Sequence, residues 1–152
     1  MSRSESALRP LLRRAQERDA EGVARLLGEL GYECSATEAG ARIAAIGRES
    51  SQVLIVADMH GELCGLLALD VMYFLPLGCN TCRITALIVG EGYRDFGVGR
   101  ALLKEAEQRA RQAGAARIEV TAAEHRHRAH DFYRAGGYSE SALRFLKHLG
   151  DA

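Results

Sequence analysis

The sequence has no excess of charge of either sign. Its 20 lysines and arginines balance 20 aspartates and glutamates, so the formal net charge is +0. A chain without a global positive field has no general electrostatic attraction for nucleic acid or for an anionic membrane surface. We therefore expect neither as a partner, and any anion-binding site must be local.

Long apolar runs and abundant cysteines are missing too. No stretch reaches the roughly 20 apolar residues of a membrane-spanning helix, and residues 1–15 have arginines but no apolar core of a secretory signal. Of four cysteines, Cys79 and Cys82 form a lone C-x-x-C without a second pair. This pattern is more typical of reduced, partly buried cysteines than of a zinc or redox site. We expect a cytoplasmic protein without a bound metal.

Repeats, low-complexity tracts and linkers rich in proline or serine are also absent, which predicts one domain over residues 1–152, with 1–6 as a flexible tail. A first strand is predicted over 7–15. Asp19 is a plausible N-cap for a helix that ends at Gly31. Ser35 to Glu38 has the form of a capping box, which predicts a second helix to Ile46.

The rest of the chain alternates between strand and helix patterns. Apolar, β-branched runs predict strands over 52–57, 63–75, 79–89 and 117–122, helical periodicity predicts helices over 98–114 and 126–134, and residues 138–149 look extended. Short turns make the strands of 52–89 antiparallel, whereas the strand–helix–strand unit of 82–122 is a parallel crossover. The expected fold is therefore α+β, or mixed α/β: a mixed, mostly antiparallel sheet of six or seven strands with helices on both faces.

Residues 93–100, YRDFGVGR, combine two glycines and two arginines at the start of a predicted helix. A helix N-terminus presents unpaired N–H groups and partial positive charge, which attract phosphate. Gly97 and Gly99 remove side chains that would keep a phosphate away, and Arg94 and Arg100 add charge. The pattern predicts a phosphate or diphosphate ligand, unless the glycines only form a tight turn.

Two other phosphate-binding patterns fit less well. No G-K-[ST] follows, which excludes a Walker loop, and Leu102 stands where a Rossmann fingerprint has its third glycine. Glu119 does lie about where a ribose-binding acid would. Two preceding helices and an antiparallel meander nevertheless do not fit a doubly wound sheet.

Two motifs resemble those of the GNAT superfamily of N-acetyltransferases. R/Q-x-x-G-x-G/A is matched by residues 94–99, and A-x-x-F-Y-x-x-x-G-F/Y is matched by Ala129, Phe132, Tyr133, Gly137 and Tyr138. The order of elements agrees from residue 7 to 149. The resemblance implies an acetyl-CoA-dependent acyltransferase, with acetyl-CoA as co-substrate.

The resemblance also implies where acetyl-CoA binds. Backbone N–H groups of Gly97 to Arg100 would hold its diphosphate, and the backbone of Leu87, Ile88 and Val89 would pair with the pantetheine arm. An N–H of Ile88 or Val89 would polarise the thioester carbonyl; alternatively, 87–89 are only core strand. Further cofactor-binding residues implied in this way are Arg94, Asp95, Phe96, Val98, Ala129 and Phe132.

Tyr133 matches the general acid of the family, which protonates the leaving thiolate; a half-buried structural tyrosine is the alternative. Many members carry a glutamate on the strand before the phosphate loop as general base, but this stretch holds Arg83, Thr85 and Ala86 instead. Glu119 is the candidate base. The alternatives are Glu91, Glu124, Asp70 or a chain of water molecules.

The segment 124–130 is rich in histidine and arginine. His127 and His130 could share a helix face as metal ligands, but they lack a patterned carboxylate or cysteine partner. A solvated basic helix start that assists the cofactor's 3′-phosphate fits better. The segment is also similar to members that act on aminoalkylphosphonates and aminoglycosides, and a phosphonate would make Arg126, His127 and Arg83 candidate anion contacts.

The resemblance implies an N-acetyltransferase that moves an acetyl group to a primary amine of a small molecule by direct attack, without a covalent acyl-enzyme. Two alternatives stay open: acetylation of a protein N-terminus or lysine, and a non-catalytic acyl-CoA sensor. Residues 31–49 would help to select the acceptor. Homodimers are common in the family, so a homodimer is one expected assembly.

Overall fold

Five strands and four helices make up the regular structure over residues 9–121, 127–141 and 144–150, the part of the chain that a computed structural model describes. The chain forms two compact units, residues 1–121 and 122–152. The predicted tail 1–6 lies outside the described residues, and the single domain over 1–152 stays a prediction. The longest described helix has 15 residues, and none of those described is long and apolar enough to cross a membrane.

The first unit holds all five strands and three of the helices. Its elements are β1 (Leu11–Arg14), α1 (Ala20–Leu30), α2 (Ala36–Gly47), β2 (Gln52–Met59), β3 (Glu62–Phe74), β4 (Cys79–Val89), α3 (Val98–Gln112) and β5 (Ala115–Val120). The sheet order is β1-β2-β3-β4-β5, antiparallel throughout except for the parallel pair β4–β5. The mixed, mostly antiparallel sheet and its crossover helix are therefore confirmed.

The expected number of strands, six or seven, is wrong for the described residues. The second unit contributes α4 (His127–Ala135), but 138–141 and 144–150 form no strand. Phe145, Leu146 and Leu149 are largely exposed there. An alternating sequence favours extended backbone. A strand forms only where a neighbouring strand pairs with its N–H and C=O groups, and the local sequence does not specify that partner.

Local capping explains how the first two helices begin and end. Glu38 N donates to Ser35 Oγ at 3.0 Å, and Ser35 N donates to Glu38 Oε1 at 2.8 Å, which confirms the capping box. Gly31 ends α1 with a φ of 101°, in the left-handed region that favours glycine. Asp19 does precede α1, but its side chain makes no capping bond there, because Arg13 binds it.

Arg13 joins three elements through two carboxylates. It donates from Nη1 and Nη2 to both oxygens of Asp19 at 2.8 Å and from Nη2 to Asp58 Oδ2 at 3.1 Å. Asp19 is only 6% exposed. Its hydrogen bond with Arg13 holds the pKa of Asp19 below the ordinary carboxyl value, whereas the N–H of Gly61 is the main cause of the lowered pKa of Asp58. The cluster fixes β1 to the start of α1 and to the β2–β3 turn.

Helices cover both faces of the sheet, as expected. Leu26 of α1 and Ile43 of α2 belong to one buried cluster with Leu66 of β3. The preceding residue of β3, Gly65, faces the opposite side, because side chains alternate along a strand. A Cβ at Gly65 would lie 3.0 Å from Leu102 Cδ1 of α3. The close approach of α3 to the sheet therefore needs glycine at this position.

Candidate functional site

Along β4, the hydrogen-bonded pairing with β5 ends before the pairing with β3 does. Pairing between β4 and β5 ends at Ile84 and Val120, while pairing between β4 and β3 continues to Val89. Thr85, the residue after the last β4–β5 pair, forms a β-bulge, because Ile84 and Ala86 on either side of it pair with consecutive residues of β3. A bulge of this kind bends a strand and increases its twist. Within the first unit, one edge of β4 is therefore left unpaired over 85–89.

The register shows which backbone groups point to this open edge. Gly90 N donates to Cys64 O at 2.8 Å, so Cys64 and Gly90 stand at a hydrogen-bonded position of the β3–β4 ladder, and Gly65 and Val89 form the non-bonded pair beside it. Bonded and non-bonded pairs alternate in an antiparallel ladder. The N–H of Ile88 therefore points to β3, and those of Leu87 and Val89 point to the open edge. Arg94 Nε, 3.4 Å from Val89 O, agrees with this direction.

Gly97 and Asp95 shape the turn between β4 and α3. Their φ angles are 88° and 68°, both in the left-handed region. Glycine adopts this region without strain, and aspartate is among the few other residues that visit it regularly. A Cβ at Gly97 would meet no heavy atom within 4 Å. The turn therefore leaves open space beside the helix start, and Phe96 is 41% exposed next to it.

The first turn of α3 presents backbone donors. Ala101 N donates back to the residue before the helix at 3.1 Å, so the N–H groups of Val98, Gly99 and Arg100 precede the first intrahelical bond. The buried side chain of Val98 anchors this turn to the core, while Arg94 and Arg100 are exposed. Three N–H groups, the helix dipole and two guanidinium groups thus combine to favour an anion.

Two carboxylates, Glu119 and Asp70, lie on the strands beside β4 near the end of the β4–β5 pairing. Glu119 lies one residue before the last β4–β5 pair, and Arg83 donates to its Oε1 at 2.8 Å. Arg117 lies 3.7 Å from its other oxygen. Asp70 of β3 faces Arg83 in the register and is half-buried. The side chain of Asp70 makes no hydrogen bond or ion pair to another described residue, a feature that its sequence neighbourhood did not signal.

Two other residues, Glu91 and Glu124, were predicted as alternative bases. Glu91 is exposed, and its backbone N–H is bound by Glu29 at 2.9 Å. Glu124 and Arg126 lie outside the described residues.

In the second unit, Tyr133 sits in an aromatic group near the end of α4. Its ring meets Phe132 and Tyr138 edge to face, with centroids 5.2 Å and 5.7 Å apart. Burial raises the pKa of Tyr133 to about 12, so its phenol stays protonated at neutral pH. Gly137, with a φ of 93°, ends the helix and lets Tyr138 N donate to Tyr133 O at 3.0 Å. The glycine and the second tyrosine of this motif thus have a structural role, and Ala129 is half-buried on the same helix.

No group of three or more histidine, cysteine, aspartate or glutamate side chains that could hold a metal occurs within 9–121, 127–141 and 144–150. Cys79 and Cys82 are free thiols, the first half-buried and the second fully buried. Burial raises the pKa of the Cys82 thiol. His130 lies on α4, in the second unit.

The sequence model of the acetyltransferase (GNAT) family matches residues 11–138. The chain belongs to the acetyltransferase (GNAT) family. The resemblance drawn from the two motifs is therefore confirmed, and the match includes the open edge of β4, the turn before α3 and the helix that carries Tyr133.

A curated GNAT relative is the aminoalkylphosphonate N-acetyltransferase of Salmonella typhimurium (strain LT2). It is 36% identical over 94 residues, which are 62% of this chain and 61% of that protein. The match thus spans about three fifths of the length of the relative.

Solved structures share the GNAT fold of this chain. A transcriptional regulator from Bacillus halodurans C-125 superposes with a TM-score of 0.86 at 23% identity, over 93% of this chain and 100% of that one. An aminoglycoside N-acetyltransferase in complex with CoA gives 0.81 at 14% identity, over 93% and 95%. At these identities the likeness concerns the fold alone.

The α1–α2 connection of this GNAT domain, within the predicted acceptor-selecting stretch 31–49, borders an open depression. Its lining is small and partly acidic: Ala24, Gly28, Glu33, Cys34, Ser35 and Glu38. Glu38 already accepts a hydrogen bond from Ser35 N in the capping box, and this bond is the main cause of its lowered pKa. Glu33 is therefore the carboxylate of this lining that is not needed to start α2.

Proposed function

We propose that the protein transfers the acetyl group of acetyl-CoA to a primary amine of a small molecule by direct attack, without a covalent acyl-enzyme. One observation carries the proposal: the open edge of β4 leads, over the turn 90–97, into the exposed N-terminus of α3. One ligand could use both places: its extended pantetheine arm would meet the backbone donors of β4, and its diphosphate would meet those of α3. Family membership and the fold neighbour in complex with CoA support the same ligand.

The diphosphate of coenzyme A would bind at the start of α3. The N–H groups of Val98, Gly99 and Arg100 precede the first intrahelical bond, and the open space at Gly97 leaves room for phosphate oxygens. The guanidinium groups of Arg94 and Arg100 would add charge-assisted hydrogen bonds. Arg94 would then release Val89 O, to which it now donates over a long 3.4 Å contact.

The pantetheine arm would pair with the open edge of β4, as an added strand pairs with a sheet. Leu87 and Val89 direct their N–H and C=O groups to that edge, whereas Ile88 is bound to β3. Acetyl-CoA supplies an activated acetyl thioester. A fixed N–H of Val89 or Leu87 aimed at its carbonyl oxygen would stabilise developing negative charge by about 3 kcal/mol, as single donors in oxyanion holes do.

Proton transfer would need a donor for the sulfur and an acceptor for the amine. Tyr133 suits the first role, because its pKa of about 12 keeps the hydroxyl protonated. Glu119 was the predicted acceptor, but its oxygens face Arg83 and Arg117. Asp70 stands beside them without such a partner among the described residues, so we include it as the second candidate base. Ala129 and Phe132 stay predicted cofactor contacts.

The acceptor amine is proposed from the relative. That protein is an aminoalkylphosphonate N-acetyltransferase, and 36% identity over 94 residues makes amines with an anionic group the first to test. Arg83 is about half exposed beside Glu119, and it is the predicted anion contact that lies in the first unit.

The experiment is a panel of amines with acetyl-CoA, read as release of free thiol, with coenzyme A binding measured in parallel by calorimetry. The panel contains aminoalkylphosphonates, aminoglycosides, and peptides with a free N-terminus or lysine. We expect thiol release with at least one small amine. Release with peptides alone would replace the small-molecule proposal by protein acetylation. Binding of coenzyme A without release by any amine would point to a sensor.

A further inference from the structure

We propose that Glu29 of α1 is a positioning residue that holds the turn 90–97 in the shape that binds coenzyme A. The inference rests on the proposed coenzyme A site, to which it adds a residue on a helix that supplies none of the predicted cofactor contacts. Residues 29 and 91 are 62 positions apart, so the sequence pattern gave no sign of their contact.

Glu29 uses its two oxygens for different partners. Its Oε1 accepts a hydrogen bond from Glu91 N at 2.9 Å, and its Oε2 lies 3.2 Å from Nη1 of Arg25, one helical turn earlier. Arg25 in turn donates from Nη2 to Leu63 O of β3 at 2.6 Å. The Glu29 side chain is only 20% exposed. The carboxylate is thus fixed from both sides and points at one N–H of the turn.

Other hydrogen bonds tie the turn to the sheet of the first unit. Gly90 N donates to Cys64 O at 2.8 Å, and Tyr93 shares a side-chain hydrogen bond with Glu62 that raises the pKa of its phenol. Both of these ties lead to β3. The hydrogen bond to Glu29 connects the turn to α1 instead.

A tie at Glu91 affects the diphosphate donors because it lies on the short path from β4 to α3. Glu91 begins a single 3-10 turn that ends at Tyr93, five residues before the first residue of α3. A turn that is ordered before binding loses less conformational entropy when the ligand arrives. Without an acceptor, the exposed N–H of Glu91 would bind water and leave the turn more mobile.

A carboxylate near an anion site needs neutralisation, and Arg25 supplies it. The ion pair between Arg25 and Glu29 leaves no net charge at this point, so the acceptor is present without repelling a phosphate. Arg25 therefore helps to position Glu29 and neutralises its charge, and it is not a cofactor ligand.

The test measures the dissociation constant for coenzyme A by calorimetry in the wild type, Glu29→Ala, Glu29→Gln and Glu21→Ala. Glutamine keeps an oxygen that can accept from Glu91 N, and Glu21→Ala removes the same charge from an exposed site two turns away on the same helix. We expect Glu29→Ala to raise the dissociation constant about fivefold, the loss of one hydrogen bond. Glu29→Gln and Glu21→Ala should bind like the wild type, and kcat at saturating acetyl-CoA should be unchanged in all.

Hydrogen exchange without ligand provides a second readout. Amides of residues 90–99 should exchange faster in Glu29→Ala than in Glu29→Gln, while amides of α2 should not change. Unchanged exchange and unchanged affinity in Glu29→Ala would overturn the inference. Equal weakening in Glu29→Gln would overturn it as well, because charge and not the hydrogen bond would then matter. A wild type that binds no coenzyme A would overturn the proposed function first.

Discussion

Replacing Gly97 with alanine adds a methyl group at a residue whose φ is 88°. For a residue with a Cβ this left-handed backbone costs roughly 1–2 kcal/mol. No heavy atom lies within 4 Å of the new Cβ position, so no steric clash adds to that cost. In a chain of this length, 1 kcal/mol corresponds to about 2–4 °C in Tm, so we expect a loss of about 2–8 °C.

Binding should suffer more than stability. The added methyl group enters the space that we assign to the diphosphate of coenzyme A. Loss of one charge-assisted hydrogen bond costs about 1.5–3 kcal/mol, which raises the dissociation constant for coenzyme A roughly 10- to 100-fold. Thermal unfolding without ligand and calorimetry with coenzyme A separate the two effects.

Two further variants sharpen the Gly97 test. Gly92 lies in the same turn with no positive φ and with open space at its Cβ position, so Gly92→Ala should change neither quantity. Gly97→Asn should regain part of the lost Tm, because asparagine tolerates this backbone, yet still bind weakly. If Gly97→Ala lost stability and bound coenzyme A like the wild type, the glycine would serve the turn alone and the diphosphate assignment would be refuted.

Tyr133→Phe keeps the ring and removes the hydroxyl, so kcat for thiol release should fall about 10²- to 10⁴-fold while coenzyme A affinity stays unchanged. Asp70→Asn and Glu119→Gln each remove one candidate base; we expect the larger loss of kcat/KM, at least about tenfold, in Asp70→Asn. Asp19→Asn leaves the charge of Arg13 without its bidentate partner and should lower the free energy of unfolding by about 3 kcal/mol in urea at pH 7. Because the pKa of Asp19 is lowered in the folded state, its stabilisation is complete above the ordinary carboxyl pKa of about 4 and is lost as the pH falls through the lowered value. The gap between wild type and Asp19→Asn should therefore shrink below about pH 4.

Each of these expectations has an outcome that contradicts it. Full activity in Tyr133→Phe would remove its role as acid. A larger loss in Glu119→Gln than in Asp70→Asn would return the base to the residue first predicted. A stability difference between wild type and Asp19→Asn that persists unchanged to about pH 2 would show that the charge of the carboxylate is not what binds Arg13.

Local patterns predicted elements well where neighbours within one turn decide them. The Ser35–Glu38 capping box, the end of α1 at Gly31 and the bounds of β4 are examples. The prediction was less accurate where a side chain had a distant alternative. Asp19 was expected to cap α1, but Arg13 offers it two hydrogen bonds in which both partners are charged, whereas a capping bond to a backbone N–H has one charged partner.

The sequence by itself determined the family, the crossover around α3, and the helix start with Gly97 and Gly99, because periodicity and glycine placement act through the local backbone. Only the tertiary structure decided that β4 leaves β5 at Thr85, that Val89 and not Ile88 turns its N–H to the open edge, and that α1 ties the turn at Glu91. These features join residues that are far apart in the chain. Their partners are chosen by register and packing, which no local pattern specifies.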